Sequence, residues 1–220
     1  MKQFLMRLSI LIIGLAFFAF GIVITIRANI GFAPWEVFHV GLAATTGLSI
    51  GLVSIIVGKV IAIIAGISGE KLGLGTVLNI IFIGIFIDII YPYIPTAINP
   101  IVGTLMMLAG LFSISIGSCF YMKSAFGAGP RDSLMVVLAR KTKLPVGLCR
   151  SAIELLATVT GWFLGGMVWF GTVLFVIAIG FCIQITFKLF KFDATAVKHE
   201  TFRDTYIELK RIFAKARAST

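Results

Sequence analysis

Charge is what this sequence has least of. Only 13% of its 220 residues are Asp, Glu, Lys or Arg, about half the share found in an ordinary soluble domain. That scarcity excludes a water-facing globular surface. Histidine is nearly absent, with two copies, and cysteine is scarce, with three. Cys119, Cys149 and Cys182 form no CxxC pair, so neither a disulfide framework nor a cysteine-based metal site is expected. A Walker-type phosphate loop and a strand-borne GxGxxG are also missing. The set points away from an enzyme, calls for no cofactor, and leaves any transport ion-driven or passive.

Long apolar runs take the place of charge. Residues of the hydrophobic classes make up 59% of the chain, and mean hydropathy is +1.08. Runs of the length that crosses a bilayer core, roughly 20 residues, fall at about 8–26, 49–67, 72–90, 101–122, 146–165 and 168–187. The chain therefore reads as an integral membrane protein. The first run follows Lys2 and Arg7 but is too long for a signal h-region and lacks a small-x-small cleavage site. It reads as a first spanning helix.

The sequence also says the same thing twice, 96 positions apart. IGFAPWE at 30–36 overlays FGAGPRD at 126–132. Without a gap, Gly14 falls on Gly110, Gly21 on Gly117, Gly51-Leu52 on Gly147-Leu148, and Gly75-Thr76-Val77-Leu78 on Gly171-Thr172-Val173-Leu174. An internal repeat decides architecture before any single residue does. It divides the chain into a first membrane repeat (1–90), a linker at 91–100 whose three prolines break helix, a second membrane repeat (101–187) and a tail (188–220).

Each repeat carries a short helical segment, 34–46 and 130–142. Thirteen helical residues rise only about 20 Å, short of the roughly 30 Å core. The second copy also holds Arg131, Asp132, Arg140 and Lys141, a heavy load for a spanning helix. Both segments read as re-entrant or interfacial half-helices, with proline at N1, where its missing N–H costs nothing. Three spans per repeat then force the second repeat to be inverted. The charges agree: with both termini cytoplasmic, Lys2, Arg7, Lys71, Lys123, Arg131, Arg140, Lys141, Lys143, Arg150 and the tail fall inside, and only Arg27 breaks the positive-inside pattern. The expected fold is an all-α membrane protein of about six spans in two inverted three-helix repeats, each with a re-entrant or short interfacial half-helix.

Of 19 basic residues, eight lie from Lys188 onward and six between Lys123 and Arg150. Basic clusters beside spans set orientation and touch anionic headgroups, so lipid is the expected partner and nucleic acid is not. In the tail, Phe202, Tyr206, Leu209 and Phe213 recur at helical spacing among Arg203, Lys210, Arg211 and Lys215, with Thr201 as cap and Asp204 in the first turn. Two readings stand: a helix on the anionic cytoplasmic leaflet, or a solvated one.

Candidate site residues cluster at the repeated turns. Gly31 and Gly127 permit a sharp re-entrant turn. Helices starting at Pro34 and Pro130 present unpaired N–H groups of partial positive charge, suited to a polar or anionic group. Trp35, Glu36, Gly129, Arg131 and Asp132 stand at the same two places. Inside spans, Lys59 and Glu154 lie near the middles of their runs, and Glu154 maps onto Gly58, one residue from Lys59. Isolated burial of either charge costs at least about 2.5–3.5 kcal/mol. They are expected to line a polar cavity as a working ion pair, or to tie the repeats together statically. Asp88 and Gln184, also repeat partners, suggest an exposed role for Asp88, whereas His39 and Asn79 read as packing residues.

The segments IGFAPWEVFHVGLA, SIGLVSIIVG, LGLGTVLNIIFIGIFID, FGAGPRDSLMVVLARKTKLPVGLCRSAIE and KFDATAVKHETF resemble the YczE/YyaS/YitT family of bacterial membrane proteins. The resemblance covers nearly the whole chain, with Ala33 in the first turn where the second has Gly129. It implies a multi-helix protein of the bacterial cytoplasmic membrane and assigns no site residues.

The resulting expectation is a permease for a small polar or anionic molecule, bound between 31–36 and 127–132 with Lys59 and Glu154 alongside. The alternative is a non-transporting scaffold or regulator whose basic tail recruits a partner. A polar cavity reaching both turns from one side separates them.

Overall fold

The computed structural model describes residues 2–193, 197 and 199–218, and all regular structure among them is helical. Helices α1 (Lys2–Arg27), α2 (Pro34–Thr46), α3 (Ile50–Ile67) and α4 (Leu74–Ile90) make the first half. After a 3-10 turn at Tyr91–Tyr93 come α5 (Pro100–Lys123), α6 (Pro130–Thr142), α7 (Val146–Phe163) and α8 (Phe170–Leu189), then α9 (Phe202–Ala218). The 96-residue offset persists in three dimensions: α2 maps end to end onto α6, and α3 onto α7. The left-handed backbone positions pair at that offset too, Asn29 with Ala125, Gly31 with Gly127, Gly47 with Lys143, and Gly69 with Gly165.

Five helices (α1, α3, α4, α5 and α8) are each long and apolar enough to cross a membrane. A sixth span arises when α6 and α7 are joined through a bend of 118°. α7 falls short alone because Arg150 and Glu154 interrupt its apolar surface. The short α2 stands apart from this set, as its length dictates.

α1 and α5 form the central pair and run antiparallel. Gly14 meets Gly117 and Gly21 meets Gly110, so close that a Cβ on any of the four would strike the facing backbone. Lipid tails are as apolar as leucine, so such close approach, rather than a hydrophobic drive, holds helices together in a membrane. Leu11, Leu15, Val23 and Leu111 are fully buried around this seam. The halves also clasp each other: the Gly75 N–H donates to the Phe126 carbonyl at 2.7 Å, and the Gly171 N–H to the Ile30 carbonyl at 2.7 Å. The second bond is the first with the repeats exchanged.

The bundle has two ends. At one lie the start of α1, the loop after α3, the end of α5 and the tail. There the Arg7 side chain donates to the Ser124 carbonyl and to Glu200 and Glu208, and the Phe202 N–H donates to the Leu72 carbonyl. At the other lie the end of α1 and the 91–100 linker, where Arg27 donates to the Tyr91 carbonyl and Thr96 and stacks on the Tyr91 ring. These contacts account for the one basic residue that departs from the charge pattern. α9 starts in a reciprocal cap between Thr201 and Asp204, with Phe202 and Tyr206 exposed. The Phe213 and Lys215 side chains lie outside the described residues.

The pseudo-symmetry fails at one interface. α3 packs along α4, but their counterparts α7 and α8 barely touch. Gly51 and Gly84 are pressed together, whereas nothing approaches within 4 Å of where a Cβ would stand on Gly147 or Gly180. Asp88 locks the first interface, accepting from the Ser49 hydroxyl at 2.5 Å and the Gly51 N–H at 2.8 Å. Its repeat partner Gln184 is exposed, and α7 begins at Pro145 without a side-chain cap.

Candidate functional site

Both half-helices begin with an extended residue, Ala33 or Gly129, followed by proline, and neither has a side-chain cap. Each start therefore leaves first-turn N–H groups without a capping acceptor, with the positive end of the helix dipole behind them. The two starts face one cavity of about 380 Å³. Pro34, Trp35, Glu36, Gly129, Pro130, Arg131, Asp132 and Glu154 line it, with His39, Asn79, Tyr121 and Arg150. Its walls reach Met122, Arg150 and Phe187, near the tail-end limits of α5, α7 and α8, and toward the linker end they reach Ile22 on α1, Ser54 on α3 and Phe175 on α8. Along α5 and α8 the space extends farther toward the end that carries the tail.

The repeat partners meet there. The Arg131 guanidinium lies 4.8 Å above the Trp35 ring, and these two occupy equivalent positions in the two turns. Arg131 also pairs with Glu36 at 3.5 Å, with the Glu36 side chain 5% exposed. Glu154 pairs with Arg150, one helical turn earlier on α7, at 2.8 Å. The Tyr121 hydroxyl donates to the Gly127 carbonyl at 2.9 Å and braces the second turn. From the tail, His199 lies close enough for the Asp132 charge to act on it; burial holds its imidazole below the usual range, and Asp132 opposes that shift.

Three sequence-based expectations need correction. Lys59 is exposed on α3 and lies outside the cavity. Ser54, Gly58 and Ile61 turn inward, and one further residue rotates a side chain by about 100° to the lipid side, where a long lysine can extend its ammonium toward the headgroups. The expected Lys59–Glu154 pair is therefore absent, and Arg150 takes the place of Lys59. Gly31 and Gly127 do not line the cavity either. Their φ values, 108° and 133°, shape the turns, and they press against Trp169 and Thr172, and against Gly73. His39 and Asn79, read as packing residues, face the cavity. The signal for His39 was available: it sits one turn after Trp35 and Glu36 on the same half-helix.

The profile of a family of unknown function, DUF6198, matches residues 5–188. The chain belongs to this family. It is 34% identical over 188 residues to the "Uncharacterized membrane protein YczE" of Bacillus subtilis (strain 168), covering 84% of this chain and 87% of that one. An "Uncharacterized protein" of Haemophilus influenzae is 34% identical over 179 residues, covering 80% and 81%. The "Uncharacterized protein YyaS" of Bacillus subtilis is 26% identical over 177 residues, covering 79% and 88%. No solved structure matches the chain. The family match stops at Leu189's neighbour, residue 188, so the cavity lies wholly within the shared part while the tail helix lies beyond it.

Proposed function

We propose that this membrane protein is a permease for a small polar solute, built from two inverted-topology repeats with the tail end in the cytoplasm. One observation carries the reading: a single cavity takes its walls from both half-helix starts. Secondary transporters place their sites where interrupted helices converge near mid-membrane, with half-helix N-termini pointing at the solute. Antiparallel packing of the repeat partners α1 and α5 supports the inversion. The basic residues gathered at the tail end support a cytoplasmic assignment.

The test is flux through liposomes carrying the purified protein, using panels of amines, amino acids and small anions. At least one solute is expected to give saturable uptake, lost when the cavity is filled by Asn79→Phe. Absence of uptake for every class, or uptake unchanged by the filled cavity, overturns the permease. The second reading, a membrane scaffold, draws on the exposed Phe202 and Tyr206 of α9, which face outward among basic residues as a surface for a partner or for anionic lipid.

A further inference from the structure

The cavity's charges do not balance. It holds three carboxylates, Glu36, Asp132 and Glu154, and two guanidiniums, Arg131 and Arg150. Each guanidinium is engaged by a glutamate, Arg131 by Glu36 and Arg150 by Glu154. Asp132 makes no ion pair or hydrogen bond with any described residue, although it is the repeat partner of the paired Glu36. It faces the open space of the cavity. The charged groups acting on it are Arg150, Arg131, His199 and Glu154, and the two arginines are already offset by their glutamates. Asp132 is thus the one carboxylate of the cavity that no described residue pairs with directly, and a carboxylate left so within a membrane protein suits a partner of positive charge.

A second polar group points to the same ligand. His39 is 2% exposed, lines this cavity, and its Nε2 has no hydrogen-bond partner among the described residues. A neutral imidazole nitrogen can accept a hydrogen bond from an N–H or O–H. Phe18, Trp35, Tyr121 and Phe175 add aromatic surface, which favours alkylammonium groups. The volume, about 380 Å³, lies at the small end of ligand pockets.

We propose that the solute is a small organic amine, its cationic nitrogen held by Asp132 and a donor group on it held by His39 Nε2. This rests on the permease reading, sharpens its polar solute to a cationic one and replaces the anion expected from the sequence. The engaged arginines leave little free positive charge for an anion.

The experiment measures thermal unfolding of the purified full chain in detergent at pH 8. Ethanolamine, choline and putrescine are the amine probes, with phosphate and acetate as anions. At least one amine is expected to raise the melting temperature saturably, as mass action requires of a ligand that binds the folded state. Asp132→Asn should weaken that amine about ten- to hundredfold, the effect of losing one charge-assisted hydrogen bond. Asp132→Glu should retain it, and Lys59→Gln should bind as the wild type does. Should Asp132→Asn not yield folded protein, Glu154→Gln serves: it frees Arg150 to neutralise Asp132 and should weaken the amine in the same direction. Equal stabilisation of wild type and Asp132→Asn overturns the proposal, as does stabilisation by anions alone, which leaves the permease intact. A melting temperature that responds to pH through Asp132 but to no amine overturns it in favour of a proton at this carboxylate. No stabilisation by any probe, together with no flux, removes the permease reading as well.

Discussion

Glu36 and Arg131 show how a single pair can serve both halves. Glu36 is almost fully buried while Arg131 keeps about a quarter of its side chain exposed, and the same guanidinium covers Trp35. Removing the cation strands a buried carboxylate. Breaking a buried pair in this way usually costs about 3–5 kcal/mol, and partial water access to Arg131 lowers the expectation to about 2–3 kcal/mol. Arg131→Met should therefore lower thermal stability sharply, Arg131→Lys less, and Glu36→Gln combined with Arg131→Met should recover part of the loss. Melting curves of the three variants measure this; a double variant no better than Arg131→Met would mean that the stacking on Trp35, rather than the charge, holds the turns together. Glu36, Arg131 and Asp132 were legible in the sequence because they flank a doubled turn. Arg150 was legible only as a basic residue near one end. Its role depends on sharing a face with Glu154 one turn later, which a list of charges does not reveal.

At the level of elements, position along the helix was readable and direction around it was not. The half-helices begin and end at the positions expected from sequence, because proline at N1 fixes each start and the repeat states each twice. Lys59 lies mid-helix on α3 as expected but on the wrong face. A span packed on one side by protein and on the other by lipid is apolar all round, so it lacks the polar stripe that orients a soluble helix. The repeated turns make the sharper prediction. Gly31 has φ 108° and presses on Trp169 and Thr172, whereas Gly47 has φ 74° with open space around it. At the position equivalent to Gly47 the chain tolerates Lys143 at φ 61°. Gly47→Ala should cost about 1–2 kcal/mol, the ordinary left-handed penalty. Gly31→Ala should cost more, adding a steric collision to a backbone region that L-residues avoid, itself about 1–3 kcal/mol. Comparable melting temperatures for the two would show that the turn can shift to accept a Cβ.

For the whole molecule, the broken interface is the informative one. The repeat matches closely in backbone, yet α3 packs against α4, where Asp88 bonds Ser49 and Gly51, and α7 stands apart from α8, where Gln184 and Pro145 hold the equivalent positions. Both pairs carry the glycines that permit contact, Gly51 and Gly84 in one, Gly147 and Gly180 in the other. If the halves exchange roles during transport, the second state closes α7 on α8, with Gln184 bonding the free N–H groups at the start of α7 as Asp88 does for α3. The cavity then shuts at the tail end and opens at the linker end. Double cysteines test this in a background without Cys119, Cys149 and Cys182. Ser49→Cys with Asp88→Cys should cross-link at once with a short bifunctional thiol reagent, since their native side chains already touch. Pro145→Cys with Gln184→Cys should cross-link slowly, and adding Asp88→Ala should speed that reaction about tenfold or more, because it removes a charge-assisted lock from the competing state. Immediate cross-linking of the second pair regardless of Asp88 would mean that both interfaces close together. No cross-link even without Asp88 would mean that the gap between α7 and α8 is permanent, and the glycines there would then serve only contact with lipid.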